Sequence, residues 1–179
     1  MLEKLKSKRL YSIVFLTLVV LISVSLLIWI NSFTSVVVEI QRENKIKSIL
    51  ESIFPGLTGY EESDDIIKVY EGDKIAGYIF IATGNGYGGT LSILVGINPD
   101  YSIRAMEVLS HRETPGLGSE ITSDAFTGQF GGLLMDEVAL SKDGGKIDAI
   151  TGATISSRAA TVAIHERMIE VIEILSNEV

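Results

Sequence analysis

The stretch DAITGAT, residues 148–154, places a hydroxyl beside the start of the last long helical pattern of the chain. Thr154 lies at or next to the predicted N-cap, where free backbone amides and the positive end of the helix dipole favour an anion. Threonine is equally an ordinary capping residue. From spacing alone, the stretch is therefore either a plain helix cap or an anion site.

The stretch HRETPGLG, residues 111–118, is a predicted loop that could bind a ligand. Pro115 holds Thr114 extended, and the two glycines that follow let backbone amides approach a planar or anionic ligand. Composition alone favours a rigid loop without a ligand. Ligand binding by this loop therefore does not follow from its composition.

The stretch GNGYGG, residues 84–89, fits the dinucleotide pattern G-x-G-x-x-G. That pattern requires a helix to follow, whose N-terminus receives the pyrophosphate. The next residues, TLSILVGI, are β-branched and apolar, so a dinucleotide site is disfavoured. Two interpretations stay open: a Gly-rich hairpin connection, or a close approach of the backbone to another ligand with Tyr87 supplying an aromatic face.

Metal and hydrolase chemistry is disfavoured by the residue inventory. The chain has no cysteine, which excludes disulfides, thiolate zinc sites and iron-sulfur clusters. His111 with Glu113 makes a poor metal site, and we expect His165 to be a solvated residue of the last helix. No serine lies in a G-x-S-x-G elbow. Redox chemistry here would need an organic cofactor, and the net charge of −8 disfavours nucleic acid as a partner.

The N-terminal residues predict a membrane anchor. Leu10 to Ile30 is a run of 21 residues without a charge, long enough as a helix to span about 30 Å of hydrocarbon. A cleaved signal peptide is the alternative, but its apolar stretch would be shorter. Lysines and an arginine precede the run, so the positive-inside rule predicts a cytoplasmic N-terminus and a domain on the extracytoplasmic side of the cell (inner) membrane.

The remaining residues predict helices at both ends of a sheet. Helical spacing runs from Val36 to Phe54 and is ended by Pro55-Gly56. From Asp65 onward, four β-rich segments separated by turn residues predict an antiparallel meander. The final segment, Ile155 to Leu175, is amphipathic and helical.

Two less regular segments lie between the meander and the last helix. Ser119 to Phe130 is predicted to be a short helix ended by Gly131-Gly132, and Asp136–Leu140 and Lys146–Ile150 are predicted strands. The fold class is α+β: one N-terminal transmembrane helix followed by a single domain with an antiparallel sheet flanked by helices. The expected organisation is a cytoplasmic N-terminus (1–9), a transmembrane helix (10–30), a helical connector (31–60) and the domain (61–179).

Three motifs together resemble a known family. DAITGAT resembles the flavinylation motif of the FMN-binding domain family, Asp-x-x-Ser/Thr-Gly-Ala-Thr, VLSHRETPGLG is similar to its second hallmark, and GYGGTLSILVGI looks like its central hairpin. With the single anchor and the length, the motif order resembles the G subunits of Rnf complexes, which are ion-translocating electron-transport assemblies linking ferredoxin and NAD. The C subunits of sodium-pumping quinone reductases share the motifs but are typically longer.

The resemblance implies covalent FMN on Thr154, attached by a separate flavin transferase that uses FAD. Thr154 would then be a substrate of that enzyme, since a threonine hydroxyl is a weak nucleophile and no activating base stands beside it in the sequence. The rest of the recognition sequence would be Asp148, Thr151, Gly152 and Ala153. The residues expected to hold the isoalloxazine are Glu113, Thr114, Leu117, Gly118 and Tyr87.

The implied function is that of an electron carrier without catalytic residues or a metal of its own. Its expected partners are the other membrane subunits of the complex, the flavin transferase during maturation and membrane lipid. A membrane-anchored sensory or interaction domain that binds flavin as a signal is the alternative.

Overall fold

The computed structural model describes residues 11, 14–26, 29, 48–63 and 65–177. The chain divides into two compact units, residues 1–48 and 49–179. In the first unit, residues 14–26 are helical and their large apolar side chains are exposed. Within the described ranges, no helix combines the length and apolarity needed to cross a membrane. The predicted span from Leu10 to Ile30 is thus not confirmed, and both its end residues lie outside the described part.

The second unit begins with a helical segment that covers residues 49–53. It coincides with the last residues of the helix predicted over Val36 to Phe54; residues 36–47 of that prediction lie outside the described part. The amide of Phe54 donates to the carbonyl of Leu50 over 2.8 Å, and the helix stops there as expected from Pro55-Gly56.

A five-stranded antiparallel sheet forms the centre of this unit. Its strands follow chain order and each pairs with the next, so the predicted meander is confirmed. The strands are β1 (Gly59–Ser63), β2 (Ile66–Glu71), β3 (Lys74–Asn85), β4 (Thr90–Ile97) and β5 (Ile103–Ser110). The first strand was not predicted, because its sequence, GYEES, is polar and almost fully exposed at the edge of the sheet.

Both faces of the sheet are covered by helical segments. Two glycines on opposite faces of β3 show this. A Cβ at Gly77 would overlap the ring of Phe54, which follows the helical segment at residues 49–53. A Cβ at Gly84, seven residues on and hence on the other face, would come within 2.8 Å of the Ala159 carbonyl in the C-terminal helix. That helix (Thr154–Asn177) confirms the prediction of a long amphipathic helix and buries these apolar side chains: Ala160, Ala163, Ile164, Met168, Val171 and Leu175.

The predicted helix at Ser119–Phe130 is wrong as a single element. It is divided into a 3-10 turn (Gly118–Thr122), one α turn (Asp124–Thr127) and a second 3-10 turn (Gly128–Phe130). Ser123 is extended and interrupts the helix. The division lets Ile121, Phe126 and Phe130 all reach the core, so tertiary packing overrides the local pattern.

The two strands predicted at Asp136–Leu140 and Lys146–Ile150 are also wrong. The structure has 3-10 turns at Met135–Glu137 and Ser141–Asp143, and a single parallel bridge joins Leu140 to Ile147. The intervening loop turns too tightly for an extended ladder: Gly144 has a φ of 96°, and a Cβ on its neighbour Gly145 would overlap backbone atoms.

Candidate functional site

Thr154 is the first residue of the C-terminal helix. The carbonyl of Ala153 accepts the Ser157 amide over 3.0 Å, so Ala153 occupies the N-cap position. A tight turn leads into it: the Ala153 amide donates to the Ile150 carbonyl over 2.9 Å, and Gly152 has a φ of 80°. A glycine at the third position of such a turn is what a type II turn requires. The TGAT sequence therefore presents a hydroxyl at the start of a helix through a turn that only glycine adopts without strain.

A cavity of about 540 Å³ opens beside Thr154. The HRETPGLG loop forms one wall and the turn before the helix forms another. Eight of the residues proposed from the sequence line it: Tyr87, Glu113, Thr114, Leu117, Gly118, Gly152, Ala153 and Thr154. Segments that are distant in sequence thus meet at one place.

Glu113 links the walls of this cavity. It is buried, with 5% of its surface exposed. Its Oε1 accepts the Gly88 amide over 3.1 Å, and its Oε2 accepts the Ser156 hydroxyl over 2.6 Å. One carboxylate thereby joins the β3–β4 connection, its own loop and the first turn of the C-terminal helix. Both oxygens are hydrogen bonded, as a buried carboxylate requires.

The glycines near Glu113 are explained by close packing. A Cβ at Gly86 would overlap the carboxylate of Glu113, and a Cβ at Gly88 would overlap the Arg112 carbonyl. At Gly118, a Cβ would lie 2.6 Å from Oε2 of Glu113. GNGYGG is the hairpin connection from β3 to β4, with Gly86 donating to the Gly89 carbonyl over 2.8 Å. Tyr87, 73% exposed, is the part of it that faces the cavity.

Two proposed recognition residues do not line the cavity. Thr151 is exposed in the turn before Gly152. Asp148 is also exposed; its Oδ1 accepts the Ser141 hydroxyl over 2.9 Å, and its amide donates to Gln129 Oε1 over 2.7 Å. These positions are open to a second protein and are not placed against a small ligand in the cavity.

Two cavity residues were missed from the sequence, Ile155 and Ser156. Ile155 is exposed at the rim, whereas Ser156 is buried against Glu113. The only signal for Ser156 was its helical spacing from Ala160 and Ile164 on the buried stripe. That spacing predicts burial, but it does not reveal a carboxylate partner 43 residues away.

The histidines have structural partners. Nδ1 of His111 accepts the Glu113 amide over 3.2 Å, which stiffens the loop. His165 is half-buried with Nδ1 3.0 Å from the Met135 carbonyl, so the expectation of a solvated side chain is wrong. Across the described residues, no group of three or more histidines and carboxylates could hold a metal.

Among the residues that the structure describes, two carboxyl groups have a clearly lowered pKa, and neither lines the cavity. Hydrogen bonds from the side chain and backbone of Ser102 lower the pKa of Asp100. A hydrogen bond from Lys146, followed by one from the Leu134 amide, lowers the pKa of Glu137. The hydrogen bonds from Ser102 and Leu134 that lower these pKa values lie within the turn at Asp100 and the turn at Met135–Glu137.

The cavity lies within a segment that matches a known domain family. Residues 86–168 match the family model described as "FMN-binding domain", and this range contains every cavity residue named above.

Sequence comparison with individual proteins assigns the chain to a more specific family. The chain is 39% identical over 135 residues to the G subunit of the ion-translocating oxidoreductase complex of Methanosarcina acetivorans, over 70% of this chain and 72% of the relative. It is 32% identical to the G subunit of the proton-translocating ferredoxin:NAD(+) oxidoreductase complex of Clostridium ljungdahlii, over 74% of each. The chain belongs to this family of G subunits, as the motif order had indicated.

A solved structure shares the fold. The C subunit of the Na⁺-translocating NADH-quinone reductase from Parabacteroides distasonis is similar with a TM-score of 0.50 and 24% identity, over 56% of this chain and 57% of that one. The similarity spans less than two thirds of the solved chain and shows the fold alone.

The cavity fits a flavin mononucleotide. Its volume lies within the range of ordinary cofactor sites, about 300–1,000 Å³. Leu117 and Ile155 supply apolar surface, and Tyr87 supplies an aromatic face. Gly118 and Gly152 keep backbone atoms close to the opening, since a Cβ on either would meet Ser156 or Leu117. A flat, largely apolar ring with polar edges is the kind of ligand that these walls accommodate.

Proposed function

We propose that this chain is the FMN-carrying electron-transfer subunit of an ion-translocating ferredoxin:NAD oxidoreductase complex, with FMN esterified to Thr154. Membership of the family of G subunits and the match to the FMN-binding domain support this function. When bound, FMN supplies reversible electron transfer, so the protein needs only to bind, orient and shield it. The chain is an electron carrier and not a catalyst by itself.

Thr154 is the proposed attachment point because it lines the cavity and is the first residue of the helix. The first turn of this helix carries no acidic residue of its own, which leaves the positive end of the helix dipole available to a bound anion. In the proposed attachment, a bond forms between Thr154 Oγ1 and the flavin-side phosphorus of FAD. The phosphoanhydride bond breaks, AMP leaves, and a base of the flavin transferase accepts the hydroxyl proton. The helix N-terminus would stabilise the remaining negative charge by about 0.3–1 kcal/mol.

The remaining cavity residues are proposed to hold the ring. Leu117 would pack against it, and Tyr87 would cover its exposed side. Thr114 and the backbone of Gly118 would offer hydrogen-bonding groups at the edge. Glu113 keeps the loops together and gives the cavity its charged group.

Asp148, Thr151, Gly152 and Ala153 are proposed as the sequence that the flavin transferase reads. Asp148 and Thr151 are exposed, as a recognition sequence must be. Gly152 and Ala153 shape the turn that presents Thr154. Recognition by a second protein would explain why the first two lie away from the cavity.

The chain is also proposed to be attached to the membrane. A membrane-associated complex agrees with the names of the relatives, which are subunits of translocating complexes. The uncharged run from Leu10 to Ile30 is the proposed anchor, with the N-terminus in the cytoplasm and the domain on the extracytoplasmic side. Lipid and the other subunits of the complex would be its partners.

The main observation in support of this function is that Thr154 and the HRETPGLG loop line the same cavity in a chain of this family. The test is the intact mass of the full chain from its native host, with and without Thr154→Ala. We expect added mass on the peptide containing Thr154, and absorbance near about 450 nm that survives denaturation. Thr154→Ser, which keeps a hydroxyl, is the matched control. A native chain without added mass would contradict the proposal, as would Thr154→Ala with covalent flavin retained.

A further inference from the structure

A second cavity meets Thr154 from the other side. It has a volume of about 470 Å³ and shares Thr154 and Ile155 with the cavity described above. Its other lining residues are Asn85, Lys142, Arg158, Ala159 and Val162. We name it the basic groove. Thr154 therefore lies between two cavities of different chemical character.

The charges of the two cavities are opposite. The acidic side chain in the lining of the first cavity is Glu113. The described lining of the basic groove contains Lys142 and Arg158 and no acidic side chain. The chain as a whole carries a net charge of −8, so a cavity lined by two cations, one of them paired with Asp143, is a local exception. A singly charged phosphodiester on Thr154 is favoured on the side of the basic groove.

Arg158 is placed to reach such a phosphate. It follows Thr154 by four residues in the same helix, so the two side chains are neighbours on one face, with Cβ atoms about 5–6 Å apart. Its Nη2 donates to Asp143, 3.2 Å from Oδ1 and 3.0 Å from Oδ2. A guanidinium has five N–H donors, so this pairing through one nitrogen leaves others for a second acceptor.

The ion pair with Asp143 orients Arg158 without holding it tightly. The Arg158 and Asp143 side chains are 49% and 37% exposed, and exposed pairs contribute little free energy. A phosphate oxygen forms the same charge-assisted, forked contacts with a guanidinium. Asp143 can thus hold the side chain near Thr154 and still allow the guanidinium to contact phosphate.

We infer that Arg158, assisted by Lys142, binds the phosphate of the flavin on Thr154, so that the phosphate lies in the basic groove while the ring lies in the cavity lined by Glu113 and Leu117. The inference rests on the proposed function. It assigns Arg158 and Lys142 as cofactor-binding residues and Asp143 as the positioning residue for Arg158.

The test compares FMN with riboflavin, which differ by the phosphate alone. The parent is the full chain with Thr154→Ala, so that both ligands bind reversibly, and fluorescence quenching gives each dissociation constant. We expect FMN to bind about tenfold more tightly than riboflavin, the size of a charge-assisted contact. Arg158→Met should remove most of this preference, with Lys142 retaining the rest, and leave riboflavin binding unchanged.

Arg167→Met is the matched control, because Arg167 lies on the same helix, pairs with Glu170 over 2.7 Å and lines neither cavity. This control should keep the preference for FMN. A parent without any preference, or an unchanged preference in Arg158→Met, would overturn the inference. A failure of the proposed function would be seen differently. Intact mass would then show that Thr154 is unmodified in the native chain, whatever the result of the binding experiment.

Discussion

The hydroxyl of Ser156 donates to Oε2 of Glu113 over 2.6 Å, with both side chains buried. This bond joins the first turn of the C-terminal helix to the HRETPGLG loop, 43 residues earlier in the chain. Glu113 also accepts the Gly88 amide, so the two bonds together fix three segments around one cavity. The shape of the proposed flavin site therefore depends on one buried carboxylate.

We predict that Ser156→Ala destabilises the protein by about 1–3 kcal/mol, because Glu113 Oε2 loses the hydroxyl that donates to it while remaining buried. Urea unfolding measures this loss as a lower midpoint at an unchanged slope. Affinity for FMN should fall as well, since the loop and the helix are no longer joined.

Ser176→Ala is the control for this prediction. Ser176 lies at the exposed end of the same helix and donates to the Glu173 carbonyl over 2.9 Å. Its substitution should change the free energy of unfolding by less than about 0.5 kcal/mol. Equal effects of the two substitutions would show that the bond to Glu113 has no special weight.

We predict that Asp148→Ala lowers covalent flavin attachment without lowering stability. Asp148 is exposed and makes one side-chain hydrogen bond on the surface, from Ser141, so the fold depends little on it. The measurement is the flavinylated fraction by intact mass at early times of coexpression with the transferase. Asp136→Ala, another exposed carboxylate outside the motif, should be modified like the wild type. Normal modification of Asp148→Ala would remove its recognition role.

The sequence predicted the elements whose patterns are local. The alternation in β2 to β5 and the stripe of the C-terminal helix each follow from burial of one face or stripe, and the structure confirms both. The irregular residues 119–150 could not be predicted in this way. Their short turns exist because Phe126, Phe130 and Ile147 are buried in the core, a property of the whole fold that no local pattern carries.

The cavity residues were predicted from their resemblance to family motifs more than from residue spacing or burial patterns. Glu113, Leu117 and Thr154 were named because three motifs resemble a family, and the structure brings them together. Ser156 and Arg158 had no such signal. Their roles depend on Glu113 and Asp143, whose proximity arises from the packing of the C-terminal helix against distant loops.

We predict an acid-dependent loss of stability from Glu137. Its pKa is lowered below the ordinary 4.5, first by the Lys146 hydrogen bond and then by the Leu134 amide. A lowered folded-state pKa stabilises the protein above the unfolded-state pKa, and this contribution disappears as the pH falls through the folded-state value. Lys146→Met should thus lower the urea midpoint at neutral pH and have no effect well below about pH 4.

The double substitution isolates this ion pair. In a Glu137→Gln background, Lys146→Met should leave the midpoint unchanged at every pH, because the charge it contacts is gone. A pH-independent cost of Lys146→Met in the wild-type background would show instead that packing of the lysine stem is what matters.

We predict that Gly152→Ala destabilises the protein by about 1–2 kcal/mol and slows flavin attachment. The φ of 80° at Gly152 is unfavourable for any residue with a Cβ, and that Cβ would lie 3.2 Å from Cδ2 of Leu117 in the cavity wall. Gly128→Ala is the matched control, because Gly128 has a φ of −65° and open space around the new methyl group, so the same change should be neutral or slightly stabilising. Urea unfolding and the flavinylated fraction measure the two effects separately. If Gly152→Ala loses stability but is modified at the normal rate, the turn serves the fold alone, and the presentation of Thr154 does not depend on its geometry.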